Sequence, residues 1–172
     1  MKSDRLKAGF TRTNFNGNLR GFTLIEMAVA VGISLVIIGG VLSNYNNYND
    51  TQKVKQGAQT LKNNLRFAQG LAFAGKKPTS GCTELEGYRV TFASTSYSVQ
   101  AFCNDQGLAG EATATQLPTD VTFSPVPGTA TFGVLGKGLV GDAAMTITLA
   151  GNAKTYSIQI SLAGDINDLG FQ

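Results

Sequence analysis

Gly21-Phe22-Thr23-Leu24-Ile25-Glu26 opens an apolar run that continues as Met27-Ala-Val-Ala-Val-Gly-Ile-Ser-Leu-Val-Ile-Ile-Gly-Gly-Val-Leu42. From Phe22 onward this is about the ~20 residues that a helix needs to cross a bilayer. Residues 22–43 therefore read as a membrane-spanning helical segment. One side chain does not fit. Glu26 sets a carboxylate one turn inside the run, at a cost of ~2.5–3.5 kcal/mol at the centre of a crossing and less near its edge. An acid kept in that place calls for a partner.

Residues 1–21 hold Lys2, Arg5, Lys7, Arg12 and Arg20 against Asp4, a net +4, while residues 22–172 hold nine Lys/Arg and ten Asp/Glu, a net −1. The +3 of the whole chain thus belongs to its leading segment. That is the asymmetry of a cytoplasmic end held inside by its cations, with the C-terminal body on the far side of the cytoplasmic membrane. An ordinary secretory signal carries a shorter apolar core and a small-residue cleavage site after it. Here the small residue, Gly21, precedes the apolar run. A cut after it would remove the basic leader and keep the hydrophobic segment.

Gly21-Phe22-Thr23-Leu24-Ile25-Glu26 resembles the class III signal of type IV pilins and type II secretion pseudopilins. The resemblance implies cleavage by a prepilin peptidase after Gly21, N-methylation of the new terminus at Phe22, and an assembly role for Glu26. It implies other pilin or pseudopilin subunits and an inner-membrane assembly platform as partners. It is specific over about residues 20–45. Many members of that family carry a proline near the end of the span; here Ser43 stands there and the first proline is Pro78. A Glu26 carboxylate and the ammonium left on Phe22 would each be costly alone in an apolar layer, and pairing lowers both penalties. Formed between neighbouring subunits, that pair sets axial register; the competing reading leaves Glu26 at the interface, turned toward water.

Tyr45 and Tyr48, three apart amid asparagines, suit the interfacial belt at the exit from the membrane, and the asparagines favour a local break or loosened turn there. Beyond them Val54, Ala58, Leu61, Leu65, Ala68 and Ala72 recur at spacings of four and three, the stripe of an amphipathic helix. Lys53, Lys55, Gln59, Lys62, Asn63 and Arg66 occupy the remainder, a face read as solvated. Gly75-Lys76-Lys77-Pro78 ends the helix, so residues 44–76 form its amphipathic half. Continuous from Phe22, the helix would be ~80 Å long.

From residue 77 to 172 the period becomes two. Tyr88–Phe92 and Tyr97–Phe102 flank Ser94-Thr95-Ser96 as a hairpin. Gly107 to Pro118 reads as a polar loop rich in Gly, Ala and Thr. Val121-Thr-Phe123 and Thr129–Leu135 are further strand candidates. Met145, Ile147 and Leu149, then Tyr156, Ile158, Ile160 and Leu162, alternate with polar residues around Ala150-Gly151-Asn152-Ala153, and Ile166–Gln172 supplies a last strand or tail. The expectation is an α+β protein: a long N-terminal helix packed on one antiparallel sheet with a single covered face, the pilin fold if the resemblance holds. Cys82 and Cys103, both in this body, read as a disulfide in an extracytoplasmic domain, with two free thiols as the alternative. The body also resembles, more loosely, the H-type minor pseudopilins and their fimbrial T-type relatives.

The composition narrows the chemistry. With no histidine in the chain, no Ser/His or Cys/His nucleophile arrangement exists, and a metal set is poor. Gly133-Val-Leu-Gly-Lys-Gly138 lacks the spacing and the Ser/Thr of a phosphate loop and reads as a turn. Glu84/Glu86 and Asp165/Asp168 read as solvated acids, with Asp165, Asn167 and Asp168 a weak calcium candidate. No Lys or Arg follows Lys154, which argues against phosphate contacts and so against nucleic acid as a partner. The reading is a non-enzymatic filament subunit without cofactor. A minor pseudopilin of type II secretion comes first. A minor type IV pilin in adhesion, motility or DNA uptake, including a tip binding module, is the alternative.

Overall fold

The computed structural model describes residues 21–104 and 107–172, with the side chains of residues 41–44 and 46 left aside. The basic leader lies outside the described residues, except Gly21. The chain divides into two compact units, Met1–Val41 and Leu42–Gln172. One helix, α1 (Leu24–Phe73), contributes to both.

In the first unit, every described side chain from Gly21 to Gly40 is exposed. Apolar side chains point outward on all sides of the helix here, with Leu24, Val36 and Ile25 exposed at 88%, 77% and 72%. None of the described residues of this unit covers them. A helix apolar all round takes its burial from a surrounding medium or from other chains.

In the second unit the stripe is buried as spaced. Val54, Ala58, Leu61, Leu65, Ala68 and Ala72 are all at 0% or 1% exposure. Helical backbone persists through Tyr45–Asp50, so the loosened turn expected there does not form; helical hydrogen bonding outweighs the weak propensity of asparagine, worth only a few tenths of a kcal/mol per residue. The helix ends in a Schellman arrangement. Gly75 takes φ +58°, its N–H donates to Ala72 O at 3.0 Å, and the Lys76 N–H donates to Leu71 O at 3.1 Å. Only glycine adopts that left-handed position without strain.

The strands are β1 (Leu85–Phe92), β2 (Ser96–Cys103), β3 (Gly107–Gln116), β4 (Thr122–Phe123), β5 (Ala130–Gly133), β6 (Met145–Ala150), β7 (Thr155–Ile160) and β8 (Ile166–Phe171). They form two antiparallel sheets, ordered β3-β2-β1-β5 and β4-β6-β7-β8. This corrects the single sheet expected from the sequence. Both hairpins stand where the alternation put them, in β1/β2 and β6/β7, but they join separate sheets. One core takes the helix stripe together with Val90, Val99 and Phe132 of the first sheet and Ile147, Leu149, Ile158 and Ile160 of the second. Phe123 of β4 meets Phe92 and Tyr97 edge-on, with ring centroids at 5.2 and 6.2 Å, and so ties the second sheet to the first.

The largest local correction is β3. The Gly/Ala/Thr-rich stretch read as a loop is a ten-residue strand paired with β2. Its small residues carry no apolar alternation because only Ala109 of the strand is buried; its place is set by backbone pairing. Leu162, counted on the apolar face of the last hairpin, lies beyond the end of β7 and is 46% exposed, because the chain turns at Ser161–Gly164. Gly133–Gly138 contains a 3-10 turn, Val134–Gly136. Cys82 and Cys103 are joined, with Cα atoms 5.7 Å apart, bridging the residue three before β1 to the end of β2.

Candidate processing and assembly site

Gly21, Phe22 and Thr23 precede the helix, and Leu24 begins it. The Gly21–Phe22 bond therefore lies in non-helical backbone with both residues exposed. Phe22 is 78% exposed.

Thr23 and Glu26 hold each other. The Glu26 N–H donates to Thr23 Oγ1 at 3.3 Å, and the Thr23 N–H donates to Glu26 Oε2 at 3.5 Å. This is a capping box: two of the amide donors that a helix start leaves without partners are satisfied reciprocally. The carboxylate is thereby folded back over the first turn, toward the chain entering from Phe22. That position also suits its charge, since the N-terminal end of a helix is the positive end of its dipole. The Thr-x-x-Glu spacing that spells a capping box stands in the sequence itself. Further along, Ser34 Oγ donates to Ala30 O at 2.8 Å, so its hydroxyl is satisfied inside the helix. Gly32, Gly39 and Gly40 have open space where a Cβ would stand.

Among the described residues no helix is long and apolar enough to cross a membrane. The described apolar side chains stop at Gly40, while the sequence carries the run through Val41 and Leu42.

A second acid matters that sequence reasoning passed over. Asp50 is 7% exposed and its two carboxylate oxygens accept the N–H groups of Asn152 and Ala153, both at 2.9 Å. It anchors α1 to the β6–β7 turn. Those two amide donors hold its pKa below the ordinary carboxylate value, overcoming the opposing effect of burial. Gly151 is the fitting counterpart, because a Cβ there would come within 2.5 Å of Val54 Cγ2 and 2.8 Å of Asp50 Oδ1. The signal was available: Asp50 lies four residues before Val54 and continues the buried stripe by one turn.

The remaining acids divide into paired and unpaired. Lys53 pairs with Asp120 at 2.8 Å and Lys62 pairs with Asp168, so two cations of the face read as solvated are matched within the body. Asp165 accepts from Ser161 Oγ at 3.3 Å. Asp168 is turned to a lysine, and no group of three His, Cys, Asp or Glu side chains that could hold a metal ion occurs among the described residues. Glu84 and Glu86 are exposed.

Compared with known proteins, residues 17–42 match the family model of the prokaryotic N-terminal methylation motif. No curated protein and no solved structure matches the chain. Over that stretch, which contains Gly21, Phe22 and the Thr23–Glu26 capping box, the chain is similar to pilin-like and pseudopilin precursors that carry the motif.

Proposed function

We propose that the chain is the precursor of a pilus-like filament subunit. A prepilin peptidase removes residues 1–21 and methylates Phe22. Residues 22–43 hold the precursor as a single span in the cytoplasmic membrane, N-terminus inside, with the amphipathic half 44–76 and the body 77–172 outside. Assembly then exchanges lipid for neighbouring helices around the 22–43 segment, where small residues permit close approach. The body's arrangement of helix and antiparallel sheets serves as the pilin fold. The machine we favour is type II secretion, with the chain as a minor pseudopilin; the alternative is a minor type IV pilin.

The observation that carries this reading is the coincidence, at one helix start, of the methylation-motif match with a wholly exposed apolar helix bearing a single carboxylate held at its first turn. In the precursor, Glu26 satisfies the Thr23 N–H. In the mature subunit, a neighbour's Phe22 ammonium is a stronger partner for the same carboxylate, since it brings a full opposite charge where the amide brings only a dipole. Mass measurement of the intact protein and its N-terminal peptide, from membranes with and without the peptidase, tests the processing. The expected species begins at methylated Phe22 and is absent without the enzyme; a chain that keeps residues 1–21 in both overturns it. Glu26→Gln keeps the shape of the cap and removes the charge, and it is expected to be processed yet fail to assemble. Loss of secretion with pili retained in a deletion strain would favour the secretion machine over the pilus.

A further inference from the structure

We propose that the Cys82–Cys103 bridge is made and opened through one sulfur, Cys82 Sγ, by a thiol or disulfide partner that meets it at the loop before β1. The two ends of the bridge are unlike. Cys103 is fully buried, at 0% exposure. It closes β2, the strand held between β1 and β3, and is paired with Leu85 on one side and Gly107 on the other. Two ladders fix its backbone, so its sulfur does not swing out to meet a reagent. Cys82 is partly exposed and lies outside any strand, and its neighbours Ser80, Gly81, Thr83 and Glu84 are all exposed.

Access decides the sulfur. Thiol–disulfide exchange proceeds by attack of a thiolate on one sulfur of the bridge while the other leaves, and its rate depends on which sulfur can be reached. Attack at Cys82 Sγ comes from the loop side and needs no strand to open. Attack at Cys103 Sγ needs the sheet to part. Charge acts in the same direction. Lys77 Nζ donates to the carbonyl oxygen of Thr83 at 2.6 Å, which fixes an ammonium at the residue after Cys82 and draws an anionic sulfur toward it.

In opening, the partner's thiolate bonds to Cys82 Sγ, the bond to Cys103 breaks, and its electron pair leaves on Cys103 Sγ. That sulfur takes up the proton given up by the attacking thiol, because an unpaired charge out of contact with water is costly. A second partner thiol then attacks the mixed disulfide, the partner leaves as a disulfide, and Cys82 is left as a thiol. Formation runs the same steps in reverse. The Cys82 thiolate attacks the partner's disulfide, and Cys103, whose Cα stands 5.7 Å from that of Cys82 in the bridged form, attacks Cys82 Sγ and closes the bridge. The cysteine pair gives two electrons and two protons to the partner, whose disulfide becomes a dithiol. Cys82 thus carries the mixed disulfide and Cys103 resolves it. This chemistry belongs to the body alone, so its failure leaves the processing reading intact.

The test uses the full chain purified in detergent, with reduced glutathione as the probe and no denaturant. Acid quenching traps mixed disulfides, and peptide mass locates them. The expected product carries glutathione on Cys82 and none on Cys103. Two single variants, each checked for a cooperative melt, sharpen the result. Folded Cys103→Ser is expected to take up glutathione from its disulfide at Cys82, while folded Cys82→Ser is expected to leave Cys103 unmodified until urea unfolds the body. A thiol–disulfide oxidoreductase with its second cysteine replaced by serine is expected to be trapped on the same sulfur. Capture faster than by glutathione assigns an enzyme as the source of the thiol, and equal rates assign a small thiol; both are the chemistry proposed. Glutathione on Cys103, glutathione on both sulfurs alike, or a bridge that no thiol opens until the body unfolds overturns the proposal.

Discussion

The two halves of α1 use apolar residues in opposite ways. From Val54 to Ala72 they recur on one stripe and are buried to within 1%. From Leu24 to Gly40 they occupy every face and all are exposed. The difference lies in where each half finds its partner. A stripe presumes a covering layer on one side, and the same chain supplies it in two sheets. An all-round surface presumes an environment on every side, which no single chain of this size supplies. The stripe belongs to folding; the all-round run belongs to whatever surrounds the molecule.

The sharpest way to break that comparison is to truncate one leucine in each half. Leu61→Ala, at a fully buried site, is expected to destabilise the body by ~2–5 kcal/mol. Leu35→Ala, at 65% exposure, is expected to leave the unfolding of the body unchanged. Denaturant unfolding of the full chain in detergent checks both, and equal losses would erase the distinction between the halves. Next in size is the covalent link. Replacing Cys82 and Cys103 by serine opens a bridge across a sequence separation of 21, and the chain-entropy argument gives a loss of about 3 kcal/mol. The unfolding midpoint with and without reductant measures it directly.

Asp50 tests how the lower half is tied to its sheets. Asp50→Asn is expected to cost ~1.5–3 kcal/mol, the range for hydrogen bonds to a charged group. The pH dependence has a definite sign. The folded-state pKa of Asp50 lies below its ordinary value of 3.8, so its contribution is fully present above that value and is lost as pH falls through the lowered one. The gap in stability between the unsubstituted protein and Asp50→Asn should therefore be constant at neutral pH and close under acid below 3.8. A gap that widened under acid would contradict the clamp. The smallest effect has the opposite sign. Gly70→Ala meets no atom within 4 Å and should stabilise the helix by up to ~1 kcal/mol, while Gly151→Ala, driven against Val54 and Asp50, should destabilise by ~1–3 kcal/mol. Thermal unfolding of the pair measures whether the two glycines differ as the packing says.

Much of the candidate site was legible in the residues themselves. Gly21, Phe22 and Glu26 stand out because a small residue before, and an acid inside, an apolar run are rare for stated physical reasons. The helix stripe and both hairpins were legible for a similar reason: their periods of 3.6 and two survive in a one-dimensional string. β3 was not, because an edge strand with one buried residue has no apolar alternation to betray it. Asp50 was not, because a polar residue at the end of an apolar stripe, among asparagines, carries no apolar signal. The capping role of Glu26 is spelled by Thr23 three residues before it, a spacing that becomes a cap only where the helix starts at Leu24.

The sequence by itself determined the position of the methylation-motif stretch, the division of the helix into an all-round apolar half and a striped half, and the polar character of the body's chemistry. These are properties of composition and spacing, which act over a few residues. Only the tertiary structure decided that the strands divide into two sheets, that Asp50 reaches Asn152 and Ala153, and that Lys53 and Lys62 find Asp120 and Asp168. Each of these joins residues far apart in the chain, and such pairings are fixed by closure and packing of the whole core rather than by any local preference.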